Sequence, residues 1–538
     1  MISVGEMKEK LCAGNQQHLL QFWKDLDLQE QQSFMEQLST IDFDKVNKVF
    51  QTAQKQTQSD VMKLDDHMKP IPTHQFETEN GLDAKTIETY RYTGLTEISQ
   101  SHVAVLLLAG GQGTRLGVNY PKGMFPLDLP SGKTLFQIQA ERIRRVTRLA
   151  EEKTGKLGKI CWYIMTSPAT HEATESYLEK HTYFGLNKED VVLFQQGLFP
   201  CFDFDGKIIL DEKNAISMAP DGNGGIYAAL TKNNIVEDMK RRGIQYVHVH
   251  SVDNILVKVA DPVFIGYFTK KGADCGAKVI PKKDPHEPVG VVCQVNGRIR
   301  VVEYSEITDR TANLRNEEGT LVFNAGSICN HIFTVDFLEK VSLHHEHELK
   351  LHVAKKKISH ISVDGKKVHP TRPNGIKIEK FIFDAFEFSE NFVTWEVSKF
   401  SEFSPLKNCD EDLKNCPFSC RKDLLNLHRS YIENAGGIVL SEEVEISPLL
   451  SYAGENLTDR VQPITTGQLC ANGKKEDACK GDSGGPLINQ TLDIDGELRN
   501  FQIGVVSFAS TLTCGIAELP PIYTRVDKYL EWIANNVE

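Results

Sequence analysis

Val103-Ala104-Val105-Leu106-Leu107-Leu108-Ala109-Gly110-Gly111-Gln112-Gly113-Thr114-Arg115 decides how this chain is read. Six apolar residues without polar alternation predict a strand buried on both faces, as in a parallel sheet covered by helices. The strand runs directly into three glycines. Successive N–H groups in such a turn form a concavity for anions, and a ligand can approach the bare backbone closely. Arg115 adds a planar double donor suited to phosphate, and Lys122, after Pro121, adds a second cation. The loop is not a dinucleotide fingerprint, because the third glycine position is Leu116. Nor is Gly132-Lys133-Thr134 a Walker loop, since the glycine that pattern needs at 127 is a leucine.

Outward from the loop the pattern repeats. Thr134 to Leu149 is predicted as a helix, and Gly225 to Asp238 as another. Strands are predicted at Trp162 to Met165, Val191 to Phe194, Tyr246 to His250 and Gly276 to Ile280. This alternation predicts an α/β fold with an open, mostly parallel or mixed sheet and helices on both faces. Ligands of such sheets bind at the carboxyl ends of strands, where the glycine loop falls. Residues 15 to 55 carry apolar positions at helical spacing, a small helical region packed on the rest. The Gln- and Lys-rich stretch 52 to 72 ends in Pro70 and Pro72 and is read as a linker or surface excursion.

The 538 residues suffice for two to four domains and a sizeable core. A net charge of -12 argues against an extended nucleic-acid surface, but not against a phosphorylated substrate met by a few local cations. The longest apolar stretch, Val103 to Ala109, is too short to span a bilayer, and no signal peptide is recognisable, so a cytoplasmic protein without membrane partners is expected. Twelve cysteines are scattered, without metal-ligand spacing, in keeping with reduced and inert thiols. Cys409, Cys416 and Cys420 lack a supporting histidine pattern. His344-His345-Glu346-His347 is read as a solvated helix face, because adjacent residues do not share one face.

The full string LxxGGxGTRxGxxxPK resembles the signature of sugar-nucleotide pyrophosphorylases. With KTLFQIQAERI, WYIMTS, FQQG, APDGNGG, VDN, VVEYSEI, FNAG, PNGIKIEKFIFD, EFSPLKN and EISPLLSYAGE in order, residues 1 to about 457 look like a eukaryotic UDP-N-acetylhexosamine pyrophosphorylase. The resemblance implies a Rossmann-like nucleotidyltransferase with a mixed central sheet. It implies that UTP and N-acetylglucosamine 1-phosphate give UDP-N-acetylglucosamine and pyrophosphate, with Mg²⁺ or Mn²⁺. It places Gly110 and Gly111 by the nucleotide, and Gln196, Gly222 and Asn223 at the uracil and sugar. Arg115 and Lys122 would hold the triphosphate, Asp253 would position the metal, and Glu303, Tyr304 and Asn324 would line the sugar side. Lys377 and Lys407 would reach the phosphates, and a homodimer is allowed for. Where the family commonly has NAGN, this chain has Asn324-Ala325-Gly326-Ser327, which bears on sugar preference. The residue types also fit the chemistry on their own terms. The attacking group is already a phosphate oxygen, so the site needs cations rather than a base. Plainer readings stand beside these: Asp253 capping a turn, Glu303 as a strand residue, Lys377 and Lys407 as surface lysines, Asn223 in a left-handed turn.

The expected division is 1-98 helical, 99-400 catalytic, 401-457 the remainder of that family's C-terminal region, and 458-538 foreign. The tail, with QLCANG, DACKGDSGGPL and IYTRVDKYLEWI, resembles the last part of a chymotrypsin-like serine protease, a truncated trypsin-like β-barrel fragment. By that resemblance Ser483 would be a nucleophile, Gly481 part of its oxyanion hole, Asp477 the pocket base, and Cys479 and Cys514 a disulfide. No TAAHC-like or DIAL-like segment supplies the other triad members, so no protease activity is expected from this chimeric sequence. An alternative reading is an inactive protease homologue acting through its tail; another is a pyrophosphorylase with a different sugar preference.

Overall fold

The computed structural model describes residues 3–59, 64–439, 441, 443–458, 468–470, 486–492, 498–508 and 522–525. The chain divides into two units, Met1–Leu424 and Leu425–Glu538.

The first unit is built on a mixed sheet. Its main path uses β1 (Phe76–Thr78), β2 (Val103–Leu108), β3 (Cys161–Thr166), β4 (Val191–Gln195), β5 (Tyr246–Ser251), β6 (Cys275–Pro281), β7 (Ala325–Thr334) and β8 (Phe392–Glu396). The order is β1-β8-β6-β7-β5-β2-β3-β4. All neighbours are parallel except at β7, which runs antiparallel to both β5 and β6. The amino end of β7 therefore lies at the same edge as the carboxyl ends of β2, β3, β4 and β5. All six residues of β2 are buried, as are all six of β3, which is why both read as unbroken apolar runs. A hairpin of Val291–Val295 and Arg298–Val302 joins the sheet through Val291, paired with Gly326.

The helices are α1 (Val4–Ala13), α2 (Leu28–Ser39), α3 (Phe43–Ser59), α4 (Ala84–Ser99), α5 (Leu135–Thr154), α6 (His171–Lys180), α7 (Ile226–Lys232), α8 (Ile235–Arg241) and α9 (Pro262–Lys271). Capping boxes start α1 (Ser3 with Glu6) and α2 (Asp27 with Glu30), satisfying N–H groups that the first turn leaves unpaired. Helix α3 continues to Ser59, so the Gln- and Lys-rich stretch begins as the polar side of a helix that buries Val46 and Ala53. The predicted helix from Gly225 is two helices, divided at Asn234, which takes a left-handed conformation at φ 53°. Residues 17–25 form short 3₁₀ turns between α1 and α2 rather than a continuous helix. Met7, Leu11, Phe34, Leu38 and Phe43 share one core with Phe202, Ile208, Ile376 and Ile378. The N-terminal helices thereby close over a strand, Gly375–Glu379, that reaches the site.

In the second unit, Gln468–Cys470, Pro486–Leu492, Leu498–Phe508 and Ile522–Arg525 form one antiparallel sheet. No barrel closes among the described residues, so the expected barrel fragment is reduced to this sheet. Asp477, Gly481, Ser483, Cys479 and Cys514 lie outside the described residues. Among the described residues no helix is long and apolar enough to cross a membrane.

Candidate active site

The loop after β2 curls back on itself. Gly113 N donates to Tyr120 O at 3.1 Å and Lys122 N to Gly111 O at 3.4 Å. Ser167, just past β3, donates its hydroxyl to Gly110 O at 2.8 Å. A Cβ on Gly110 would lie 2.6 Å from Gln196 Oε1, so the buried Gln196 side chain can pack there only because Gly110 has none. Gly111 and Arg115 are exposed at the rim.

Lys122 turns inward across this edge. Its ammonium donates to Asp253 Oδ1 at 2.9 Å and to Leu406 O at 3.0 Å. Asp253 follows β5, the neighbour of β2, and spends its carboxylate on Lys122 rather than on capping its own turn. No other bond to that carboxylate is formed among the described residues. The loop lysine and the strand-end aspartate thus lock two adjacent strands at their carboxyl ends.

Gly222 and Asn223 face the same edge from the turn before α7. Gly222 adopts φ 86°, and a Cβ there would lie 2.3 Å from Lys380 O. It is Gly222 that takes the positive φ, with ψ 173°, whereas Asn223 opens a 3₁₀ turn. The Asn223 side chain accepts from Ile382 N at 3.0 Å and donates to Cys329 Sγ at 3.9 Å. Lys377 lies between Ile376 and Ile378, both buried against the N-terminal helices, so by strand alternation it points to the other face.

On the remaining side, Glu303 is half-buried just beyond strand Arg298–Val302, and Tyr304 is exposed. Burial, with Glu306 close by, raises the Glu303 carboxyl above its ordinary range, while the charges of His352 and Lys407 oppose the rise. Asn324 O accepts from Lys282 N at 2.7 Å and Gly326 N at 2.8 Å, and Ser327 N donates to Gly290 O at 2.8 Å. Burial and the Asp253 charge push the Cys329 thiol up to about 12, with Lys407 opposing. One exposed lysine is therefore felt at both the sugar-side glutamate and the thiol beside Asp253. A cavity of about 160 Å³, lined in part by Val302, Glu306, Lys350, Phe383 and Asp384, adjoins this side.

Three cations in this arrangement, Arg115, Lys377 and Lys407, have side chains without a hydrogen-bond or ion-pair partner among the described residues. Two residues that the sequence did not single out also stand here. Asp221 is pushed up to about 7, chiefly by burial; Lys380 opposes the rise and Glu346 adds to it. Its Oδ1 is buried without a partner among the described residues. Asn254 is almost fully buried beside Asp253. Both sit inside the quoted strings APDGNGG and VDN, which was the available signal. The 344–347 histidines form an irregular turn in which His345 contacts Glu348 at 2.9 Å and stacks on Phe388. No group of three or more potential metal-ligating side chains gathers among the described residues.

A mixed sheet with a glycine-rich anion loop and strand-end charges at its carboxyl edge is a nucleotidyltransferase-like fold. The family model described as UTP–glucose-1-phosphate uridylyltransferase matches residues 43–454, and the chain belongs to that family. It is 49% identical over 464 residues to the UDP-N-acetylhexosamine pyrophosphorylase-like protein 1 of Xenopus tropicalis, covering 82% of this chain and 91% of the relative. It is 41% identical over 463 residues to the UDP-N-acetylglucosamine pyrophosphorylase of Saccharomyces cerevisiae, covering 84% and 96%. The crystal structure of the Trypanosoma brucei uridine diphosphate N-acetylglucosamine pyrophosphorylase, in complex with an inhibitor, superimposes with a TM-score of 0.74 at 31% identity, covering 84% of this chain and 93% of that one. A second family model, trypsin, matches residues 440–533.

Proposed function

We propose that this chain is a UTP:N-acetylhexosamine-1-phosphate uridylyltransferase, joining UTP to N-acetylglucosamine 1-phosphate to give UDP-N-acetylglucosamine and pyrophosphate. The observation that carries the reading is the surplus of cations. Arg115 on the loop and Lys407, next to the Leu406 carbonyl that Lys122 holds, have side chains without a partner among the described residues, and the loop's inward lysine already holds a carboxylate; Lys377 is a third such cation, on the strand Gly375–Glu379. The names of the relatives agree with it.

In this reading an oxygen of the sugar phosphate forms a bond to the α-phosphorus of UTP. The bond from that phosphorus to the bridging oxygen breaks in line, and pyrophosphate leaves with the electron pair. No proton has to be removed from the nucleophile, so the work is alignment and charge neutralisation. Arg115 and Lys122 meet the departing phosphates, and Lys377 and Lys407 bring in the attacking one. Gly110, Gly111 and Gln196 seat the nucleotide. Gly222 and Asn223 form the turn beside it, and Glu303, Tyr304 and Asn324 take the sugar.

The donor set fits a divalent cation. Asp253 has a hard carboxylate oxygen, Oδ2, left over from its pairing with Lys122. Mg²⁺ is commonly held by one or two carboxylates plus substrate phosphates rather than by a full protein cage. Asp253 would hold Mg²⁺ or Mn²⁺ in that manner, and the bound ion supplies neutralisation of phosphate charge.

The test is pyrophosphate release from UTP, Mg²⁺ and N-acetylglucosamine 1-phosphate by the full chain, with Arg115→Ala as control. Folded protein that releases none with the glucosamine, galactosamine or glucose phosphates sinks the reading. Ser327 in the sugar-side string favours a second version, a shifted sugar preference, and the same three acceptors decide it.

A further inference from the structure

Asn254 is 4% exposed and makes three side-chain bonds, two of which cross to the segment 402–406 and one of which stays within its own turn. Its Nδ2 donates to Glu402 O at 2.7 Å. Its Oδ1 accepts from Ser404 N at 3.0 Å and from Leu256 N at 3.2 Å. Pro405, between Ser404 and Leu406, has no N–H, so the segment 402–406 cannot pair along its length as an ordinary strand. The Asn254 amide reinforces the short antiparallel bridge between Asn254 and Pro405. It binds one carbonyl and one N–H of that segment, while Ile255 N donates to Ser404 O and Leu406 N to Asp253 O. The far end of the segment is fixed in turn, because the fully buried Glu402 carboxylate is gripped by Lys278 at 2.8 Å and Lys258 at 3.1 Å.

What this clamp holds is the charged edge itself. Leu406 O, directly before Lys407, accepts from Lys122, and Lys122 also holds Asp253. Lys407 leaves the clamped segment with its own side chain unpaired among the described residues.

We propose that Asn254 is a positioning residue for uridylyl transfer, one amide that registers the segment bearing Lys407 against the turn bearing Asp253. The proposal rests on the transferase reading above. Asn254 touches no reacting group; it acts through Lys407. An error of about 1 Å in such a group costs up to about 100-fold in rate, so Asn254→Ala lowers kcat by about 10–100-fold. Equilibrium affinity for UTP stays within about twofold, because the amide bonds run to 402, 404 and 256 and not to the Gly110–Gln196 side.

A double-mutant cycle with Lys407→Ala tests it on the full chain. If Asn254 works through Lys407, the single effects do not add, and Asn254→Ala costs less than about twofold in the Lys407→Ala background. Full additivity overturns the proposal. So does a melting temperature that falls while kcat per folded enzyme stays at the wild-type value, which is a purely structural role. A Lys407→Ala enzyme of wild-type rate overturns it as well, since nothing remains for Asn254 to position. Should Asn254→Ala lose its cooperative melt, Asn254→Asp, which keeps size and acceptor but loses the donor to Glu402 O, replaces it in the same cycle. Absence of pyrophosphate release from the wild-type chain is a separate result and sinks the transferase reading itself.

Discussion

Two lysines of the same sheet meet opposite fates. Lys278, on β6, is fully buried with Asp261 at 2.5 Å and Glu402 at 2.8 Å. Burial alone would lower its ammonium, yet the two carboxylates outweigh that and raise it. Lys122, 11% exposed, has one carboxylate and one carbonyl; Arg115 on its loop and Lys407 beside Leu406 are exposed, with side chains unpaired among the described residues. In the first region every charge is answered from within the chain. In the second, Arg115 and Lys407 face solvent and no carboxylate or carbonyl among the described residues answers their side chains. A buried pair broken on one side leaves an uncompensated charge, whereas an unpaired rim cation leaves nothing behind when removed. Charge count against burial therefore separates scaffold from site even where residue types coincide.

The widest separation is expected at Lys278. Lys278→Ala removes the lysine that pairs the buried Asp261 carboxylate and leaves Glu402 to Lys258, lowering stability by about 3–5 kcal/mol in urea unfolding. Lys278→Met with Asp261→Asn and Glu402→Gln recovers most of that loss. If the single variant unfolds at the wild-type denaturant concentration, the cluster is hydrated and the contrast with the site collapses.

The reverse pattern is expected on the rim. Arg115→Ala and Lys377→Ala each lower kcat/KM by about 100–1000-fold, equivalent to about 2.7–4 kcal/mol of transition-state stabilisation. Their urea midpoints stay at the wild-type value, since neither side chain has a partner to lose among the described residues. Lys122→Ala falls between, slow and modestly destabilised, because it does both jobs. A Lys377→Ala enzyme of normal rate would return Lys377 to the surface lysines.

This contrast also explains what could be read from the sequence. Strands β2 and β3 were legible because burial on both faces writes them as apolar runs, and β4 to β6 were legible from shorter apolar stretches. Strand β7 was not, since Ala325–Thr334 carries Ser327, Asn330 and the buried His331 inside an irregular register, and its antiparallel direction is set by β5 and β6. The break at Asn233–Asn234 was hidden by apolar residues on both sides that keep helical spacing. In the site, Lys122 and Asp253 were each legible by local pattern, but their pairing spans 131 residues. Asn254 and Asp221 carried no local mark of chemistry. The Asn254 role exists only through contacts such as the one to Glu402, 148 positions away.

Asp221 belongs to neither regime, being half-buried with only its Oδ1 lacking a partner among the described residues, and it gives the smallest expected effect. Its carboxyl, pushed up to about 7 from 3.8 in the folded chain, keeps a proton that the unfolded chain has lost over that interval. The folded state thus binds more protons, and this group's contribution to stability falls as pH rises from about 4 to about 7. The buried His250 and His331, lowered to about 4 and about 3, and His248, lowered as well, act the other way. Up to about pH 6.5 the unfolded chain takes up as many as three protons that these residues refuse when folded. The raised carboxyls of Glu303 and Glu396 act with Asp221 and the lowered His18 acts with these histidines, so the aspartate's own slope is masked in the wild-type chain. Asp221→Asn exposes it, because the histidines cancel in the comparison. Relative to wild type, the variant gains about 1–2 kcal/mol between pH 5 and pH 8, read as the difference of urea unfolding curves. A difference that stays flat across that range means that Asp221 is ionised in the folded chain and that Lys380 outweighs the burial of its carboxyl.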